Sequence, residues 1–209
     1  MTKTNFPIAL SRRHFLAIAG AGGFIGGFIA FPASGSAGSL SAEEFTERLG
    51  TWVVRLAASG HDDARLKQEF IRLFSAHVDI HALADFALGK YRRRMPENIR
   101  SEYRALVLDY VAAMFVQHRR RLAAHEVKAR GKRRSGKWLL VESALVYPNG
   151  KASPVRWRLI NTSRGYQVAD VNLRNVWLSL RMRDNFVAIL DRSRGDFATL
   201  LQKLRRNAA

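Results

Sequence analysis

The side chains able to do chemistry in this chain are few and scattered. His77 and His81 stand four apart and flank Asp79, a spacing that could set two imidazoles on one helix face as metal ligands. Asp79, however, sits directly before an apolar helical run, where a capping residue belongs, so the cluster calls for no metal. His118 opens the run His118-Arg119-Arg120-Arg121 at the end of a long helical pattern. Positive charge there complements the helix C-terminus, and no carboxylate lies near enough in sequence to make His118 an acid–base catalyst. Cysteine is absent, which excludes disulfides, thiolate metal sites, a Cys nucleophile and an acylated N-terminal cysteine. Beyond the first forty residues there is no nucleophile elbow, HExxH, P-loop or CxxC. Catalytic residues, metals and cofactors are therefore not expected. The chain reads as a binder.

What it would bind is suggested first by charge. Among its 209 residues, 35 Lys and Arg face 17 Asp and Glu, for a net charge of +18. The basic residues cluster at Arg92-Arg93-Arg94, Arg119-Arg120-Arg121, Lys128 to Lys137, Arg181 with Arg183, and Lys203-Arg205-Arg206. Such a surface favours an anionic partner: nucleic acid, an anionic membrane or an acidic protein. The aromatics fall on apolar stripes rather than in exposed positions suited to stacking on bases, which argues against nucleic acid.

The N-terminus argues against it too. Ser11-Arg12-Arg13-His14-Phe15-Leu16 precedes an apolar, Gly-rich run from Ala17 to Phe31, then Pro32 and small residues to Gly38. A charged segment, an apolar stretch of about 15 residues and a small-residue cleavage site are the parts of an export signal. The paired arginines and mild hydrophobicity point to the twin-arginine type, spanning residues 1–37. Gly20 to Gly26 imitates a dinucleotide-binding turn, but no βαβ unit follows. Removal of this leader takes Lys3, Arg12 and Arg13 with it and leaves +15 on an exported domain. In a periplasm the anion to expect is lipid or an acidic protein.

The elements follow from periodicity. Ser41-Ala42-Glu43-Glu44 starts a helix carrying Phe45, Leu49, Trp52, Val53 and Leu56 to Gly60. A second helix is predicted from Asp62 to about Ala76, and a third, capped by Asp79, up to Gly89. Met95-Pro96-Glu97 opens the longest helix, whose stripe includes Ile99, Tyr103, Leu106, Val107, Tyr110, Val111, Met114, Phe115 and Leu122. The period then switches to two. A strand near Glu126–Arg130, one from Lys137 to Tyr147, one through Val155, Trp157 and Leu159, and one from Tyr166 to Leu173 make a meander of about four antiparallel strands. Helix returns from Val176 to Leu190 and again around Phe197–Leu204. The class is α+β: a curved antiparallel sheet packed against a long helix, with N- and C-terminal helices closing a cavity.

Several of these segments together resemble the periplasmic toluene-tolerance family. The resemblance rests on Leu88-Gly89-Lys90-Tyr91 with Met95-Pro96-Glu97, and on Tyr147-Pro148-Asn149-Gly150-Lys151 before Pro154-Val155-Arg156-Trp157. It continues with Gly165-Tyr166-Gln167-Val168-Ala169-Asp170-Val171, then Val176 to Leu180 leading into Arg183 to Phe186, and Gly195-Asp196-Phe197 at the end. It covers residues 42–206 as a single lipid-binding domain. The family supplies the soluble phospholipid shuttle of Mla-type ABC transport, with one relative linked to hopanoid metabolism. Asn175 stands where the family usually has Gly.

The resemblance implies a phospholipid or hopanoid-type cargo whose acyl chains sit in an apolar cavity. It also implies docking on an inner-membrane ABC transporter complex and an outer-membrane lipid complex, with transient membrane contact and no nucleic acid. The wall residues it suggests are Leu106, Tyr110 and Met114 on the long helix, facing Val155, Trp157, Leu159 and Val171 on the sheet. Arg92, Arg93 and Arg119 are the candidates for headgroup contact or docking. The competing expectation is a basic periplasmic scaffold that carries no lipid and docks on anionic membrane or an envelope complex.

Overall fold

The computed structural model describes residues 40–122 and 126–208; the expected leader, residues 1–37, lies outside them. Each early helix begins at a side chain that satisfies backbone donors left over at a helix start. Ser41 opens α1 (Ala42–Ala57) with a reciprocal capping box: its hydroxyl accepts from the Glu44 amide, and the Glu44 carboxylate accepts from the Ser41 amide at 2.8 Å. Asp62 caps α2 (Asp63–His77) and Asp79 caps α3 (Ile80–Ala87), each through a carboxylate oxygen on the amide three residues on. A 3₁₀ turn over Gly89–Arg94, which periodicity did not signal, leads into α4 (Glu97–Leu122). At 1.5 Å per residue, α4 is about 39 Å long.

The sheet is a meander in the order β1 (Glu126–Ser135), β2 (Trp138–Val146), β3 (Ala152–Thr162), β4 (Gly165–Leu173), β5 (Val176–Trp177), every neighbouring pair antiparallel. Register shifts at Ala129/Gly131 and Arg158/Leu159 are bulges, which add twist and curve the sheet. The α+β class and curved antiparallel sheet are as expected, with two corrections in detail. The sheet has five strands, not four, because Arg174 and Asn175 adopt φ of 51° and 64° and turn the chain back on itself. That hairpin converts the first two residues of the expected last long helix into β5, and α5 runs over Leu178–Arg192. Asn tolerates the left-handed region, so it can stand where glycine would otherwise be required.

The second correction concerns what covers the sheet. The main cover is α1, which lies along β1 and touches β2, whereas α4 packs on α1, α2, α3 and α6 (Phe197–Ala208). The reason is local. Ala42, Thr46 and Gly50 give α1 a small-residue face, and a Cβ placed at Gly50 would stand 2.8–2.9 Å from three side-chain atoms of Val127. This close approach turns Leu49 and Val54 inward and leaves Trp52, expected on the buried stripe, 52% exposed. Glu47 adds a hydrogen bond from the Ala129 amide at the β1 bulge, and Glu43 an ion pair with Lys132 at 2.7 Å.

Two apolar clusters result. One lies among the helices, with Leu66, Phe70, Tyr103, Val107, Phe115, Met182, Phe186 and Leu200. The other lies under the sheet, with Leu49, Val54, Val127, Val141, Val155, Trp157, Leu159 and Val168. Among the described residues, no helix is long and apolar enough to cross a membrane.

Candidate functional site

The expected wall residues divide between the two clusters. On α4, Leu106 and Tyr110 are half-buried against the helical cluster, and Met114 is half-buried one turn further on. The Tyr110 ring meets Phe186 edge-on at 5.5 Å. It also lines a cavity of about 180 Å³ between α4, α5 and α6, together with Ile189 and Leu204. Val155, Trp157 and Leu159 are buried in the sheet cluster, and Val171 packs against it. The Trp157 indole donates to the Ser143 hydroxyl at 2.8 Å, which satisfies its one polar group. The helix trio and the sheet quartet therefore belong to separate apolar layers. Leu122, at the end of α4, packs on both.

The seam between the layers runs along α1 and α2. Val53 and Leu56 pack toward the helices while Phe45 packs toward the sheet; on α2, Phe74 and Leu73 divide in the same way. Aromatic rings gather at one point of this seam. Phe45 meets His77 at 5.8 Å and Tyr166 at 6.0 Å, and Trp52 meets His77 at 6.1 Å. Burial pushes the His77 pKa below its usual value, which favours the neutral imidazole. His81 is exposed, and among the described residues no group of three metal-ligating side chains assembles. His118 bonds through Nδ1 to the Met114 carbonyl of its own helix at 3.0 Å.

At the far edge of the sheet, Asp170 on β4 is 6% exposed. One of its oxygens accepts from the Val171 amide at 2.9 Å and the Ser179 amide at 3.1 Å. The other accepts from the Ser179 hydroxyl and from Arg158 at 3.2 Å. The Arg158 guanidinium in turn stacks 3.8 Å from the Trp177 ring centre. Burial pushes the Asp170 pKa above its usual value, and the Ser179, Val171 and Arg158 interactions oppose that rise. This node bolts the first turn of α5 to the sheet. In the sequence Asp170 stands inside a motif with no partner in view, because Ser179 and Arg158 reach it only through the β3–β4 register and the β5 hairpin.

The arginine candidates also separate. Arg92 and Arg93 line one cavity of about 530 Å³ with Asp85, Glu97, Arg100 and Arg104. Arg119 lies elsewhere, ion-paired to Asp63 in the first turn of α2. Asp85, Arg100 and Arg104 had given no signal in sequence. They stand on two helices, and only the α3–α4 packing brings them together.

With this geometry in hand, comparison with known proteins decides the family. The model of the family described as MlaC protein matches residues 51–206. The chain belongs to the MlaC family. A solved structure of the phospholipid-binding protein from Ralstonia solanacearum, in complex with a phospholipid, shares the fold with a TM-score of 0.58. The two chains are 18% identical, and the match covers 76% of this chain and 96% of that one. No curated protein matches the chain. In this MlaC-family chain, the motifs behind the sequence resemblance occupy defined elements. Tyr147 to Lys151 forms the β2–β3 turn, where the Gly150 amide donates to the Tyr147 carbonyl at 2.9 Å. Gly165 to Val171 lies within β4, and Gly195, at φ 85°, stands two residues before α6.

Proposed function

We propose that this protein is a periplasmic carrier that shelters the acyl chains of a phospholipid between its helical and sheet clusters. It would pass that lipid between an inner-membrane ABC transporter complex and an outer-membrane lipid complex. Membership of the MlaC family over residues 51–206 carries the reading. The fold shared with a protein solved with a phospholipid bound supports it. The physical need is plain. Exposing a lipid tail to water costs about 0.8 kcal/mol per CH₂, so a tail crosses an aqueous compartment only inside an apolar shelter. Such a carrier works by burial and release, not by bond chemistry.

In this reading, Leu106, Tyr110 and Met114 form one wall, and Val155, Trp157, Leu159 and Val171 the other. Admitting a tail requires the two layers to part along the α1–α2 seam. The close α1–β1 contact holds α1 on the sheet, and the Asp170 node ties α5 to it, so α4, which has neither tie, is the element free to yield. Arg92 and Arg93 offer positive charge to an anionic membrane surface or an acidic partner, whereas Arg119 is already paired to Asp63. Residues 1–37 act as a twin-arginine leader. A hopanoid-type cargo would use the same walls, because the shelter reads apolar area rather than a headgroup.

Native mass spectrometry of the protein purified from its own host tests the reading. Stoichiometric co-purified phospholipid is the expected result. Protein that arrives empty and takes up no lipid from vesicles would refute it.

A further inference from the structure

The cavity at the α3–α4 junction is built unlike a solvated basic face. Asp85, whose side chain is 16% exposed, is shared by three guanidiniums: Arg92 at 3.2 Å, Arg104 at 3.3 Å and Arg100 at 4.0 Å. Arg100 is fixed further by Glu97 at 2.8 Å and by the Met95 carbonyl at 3.0 Å. Arg93 is exposed at the rim and has no ionic partner among the described residues. Four cations therefore face two anions around one concave space of about 530 Å³. That volume falls within the range of small-ligand sites, about 300–1,000 Å³.

The hydrogen bonds are unbalanced as well as the charge. Arg104 Nε is buried and has no acceptor, an arrangement that leaves a desolvated donor unmade. A guanidinium presents five N–H groups in a fixed fork, and Asp85 has only two oxygens to divide among three such forks. Tetrahedral oxyanions suit this geometry, since each oxygen can accept from a different arginine and pairs of oxygens can be gripped bidentately. The positions of Arg100 and Arg104 are already set by Asp85, Glu97 and the backbone, so little side-chain order is lost when an anion arrives.

We propose that Arg92, Arg93, Arg100 and Arg104, arranged around Asp85, form a binding site for a phosphate group. None of the site's residues belongs to either apolar cluster, although the site borders the helical one, and phosphate binding can be tested without the carrier reading. Its ligand is a phosphate monoanion, dianion or ester, supplied either by free phosphate or by a phospholipid headgroup at a membrane surface.

Isothermal titration calorimetry of the purified protein with inorganic phosphate, in a phosphate-free buffer of fixed ionic strength, provides the test. Saturable one-to-one binding is expected. Arg104→Gln and Arg93→Gln should each weaken it about tenfold, the scale of one charge-assisted hydrogen bond. Arg93 holds no ion pair that folding needs, so its substitution keeps the test valid even if Arg104→Gln misfolds. The charge-matched change Arg206→Gln, at an exposed position on α6, should leave binding unchanged. Competition assigns the source, and either result upholds the site. Displacement of phosphate by phosphatidylglycerol vesicles identifies a headgroup, whereas displacement by glycerol phosphate alone identifies a soluble ester. Absence of saturable binding, or equal weakening by Arg206→Gln, would overturn the proposal. Phosphate titration and native mass spectrometry of the wild type read the two proposals separately, so either can fail while the other stands.

Discussion

Gly50→Ala decides whether α1 is held against the sheet by close backbone approach or merely by apolar contact. Glycine inside a helix is unfavourable relative to alanine by about 1 kcal/mol, so on propensity alone the substitution should stabilise the protein by that amount. The structure predicts the opposite sign. The new methyl carbon would stand 2.8 Å from Val127 Cγ2 and 2.9 Å from both Val127 Cβ and Cγ1. Val127 is 3% exposed, is β-branched and is pinned in the ladder opposite Leu145, so it has no free rotamer into which to retreat. Overpacking of this kind costs about 1–3 kcal/mol, and contact with three atoms of an immobile side chain places it in the upper part of that range. The difference is a net destabilisation of about 1–2 kcal/mol. Equilibrium urea unfolding of the purified protein measures it, as a lower midpoint at unchanged slope. The double variant Gly50→Ala with Val127→Ala probes the mechanism, because it removes the contacts to Cγ1 and Cγ2 and leaves only the one to Cβ at 2.9 Å. Alanine at position 50 should then cost less than it does beside Val127, giving a coupling energy of about 0.5 kcal/mol or more between the two sites. If Gly50→Ala alone raises the midpoint, the close approach is not what selects glycine, and the account of why α1 covers the sheet fails.

Asp170 should give a pH dependence of reversed sign. Its pKa is raised in the fold, chiefly by burial, so the folded state holds its proton more tightly than the unfolded one. This group's contribution to stability must therefore fall as pH rises above the ordinary value of 3.8. Measured against Asp170→Asn, the wild type's advantage should shrink as pH rises above 3.8; an advantage that grows with pH would contradict the assignment. Leu106→Arg places a charge on the proposed helical wall at a half-buried position that can solvate it in the empty protein. Co-purified lipid should drop roughly tenfold or more while far-UV circular dichroism stays native, and unchanged loading would remove Leu106 from the wall. Arg12→Lys with Arg13→Lys should leave the precursor in the cytoplasm; normal periplasmic accumulation, followed by fractionation and immunoblot, would show that the leader does not use the twin-arginine route.

The parts of the fold that were legible in sequence are those fixed by neighbours in the chain. Ser41, Asp62 and Asp79 announce helices because a cap acts on an amide three residues away. Val155, Trp157 and Leu159 announce a half-buried strand because side chains alternate at period two, and all three are buried as that pattern requires. The expected burial of Trp52 failed for the complementary reason. Its stripe position satisfied helical periodicity, but the face of α1 that meets the sheet is chosen by Gly50 and Val127, which are 77 residues apart in sequence. Likewise, Val176 and Trp177 look like the start of the last long helix until the hairpin pairs them with Leu173 and Asn172.

The same distinction explains why the arginines read as separate clusters in sequence yet divide otherwise in space. Arg92-Arg93-Arg94 and Arg119-Arg120-Arg121 look equivalent as tracts. In the fold, Arg119 is neutralised by one exposed carboxylate, whereas Arg92 and Arg93 are joined by Arg100 and Arg104 around a single shared Asp85. Net charge is a property of composition and fixes only the sign of the partner. Local surplus depends on which acids the packing supplies, and α3 supplies one carboxylate to three guanidiniums. A strongly positive chain can therefore differ from one basic tract to the next in how far its cations are compensated. At the α3–α4 junction the uncompensated cations and the orphaned Arg104 donor coincide.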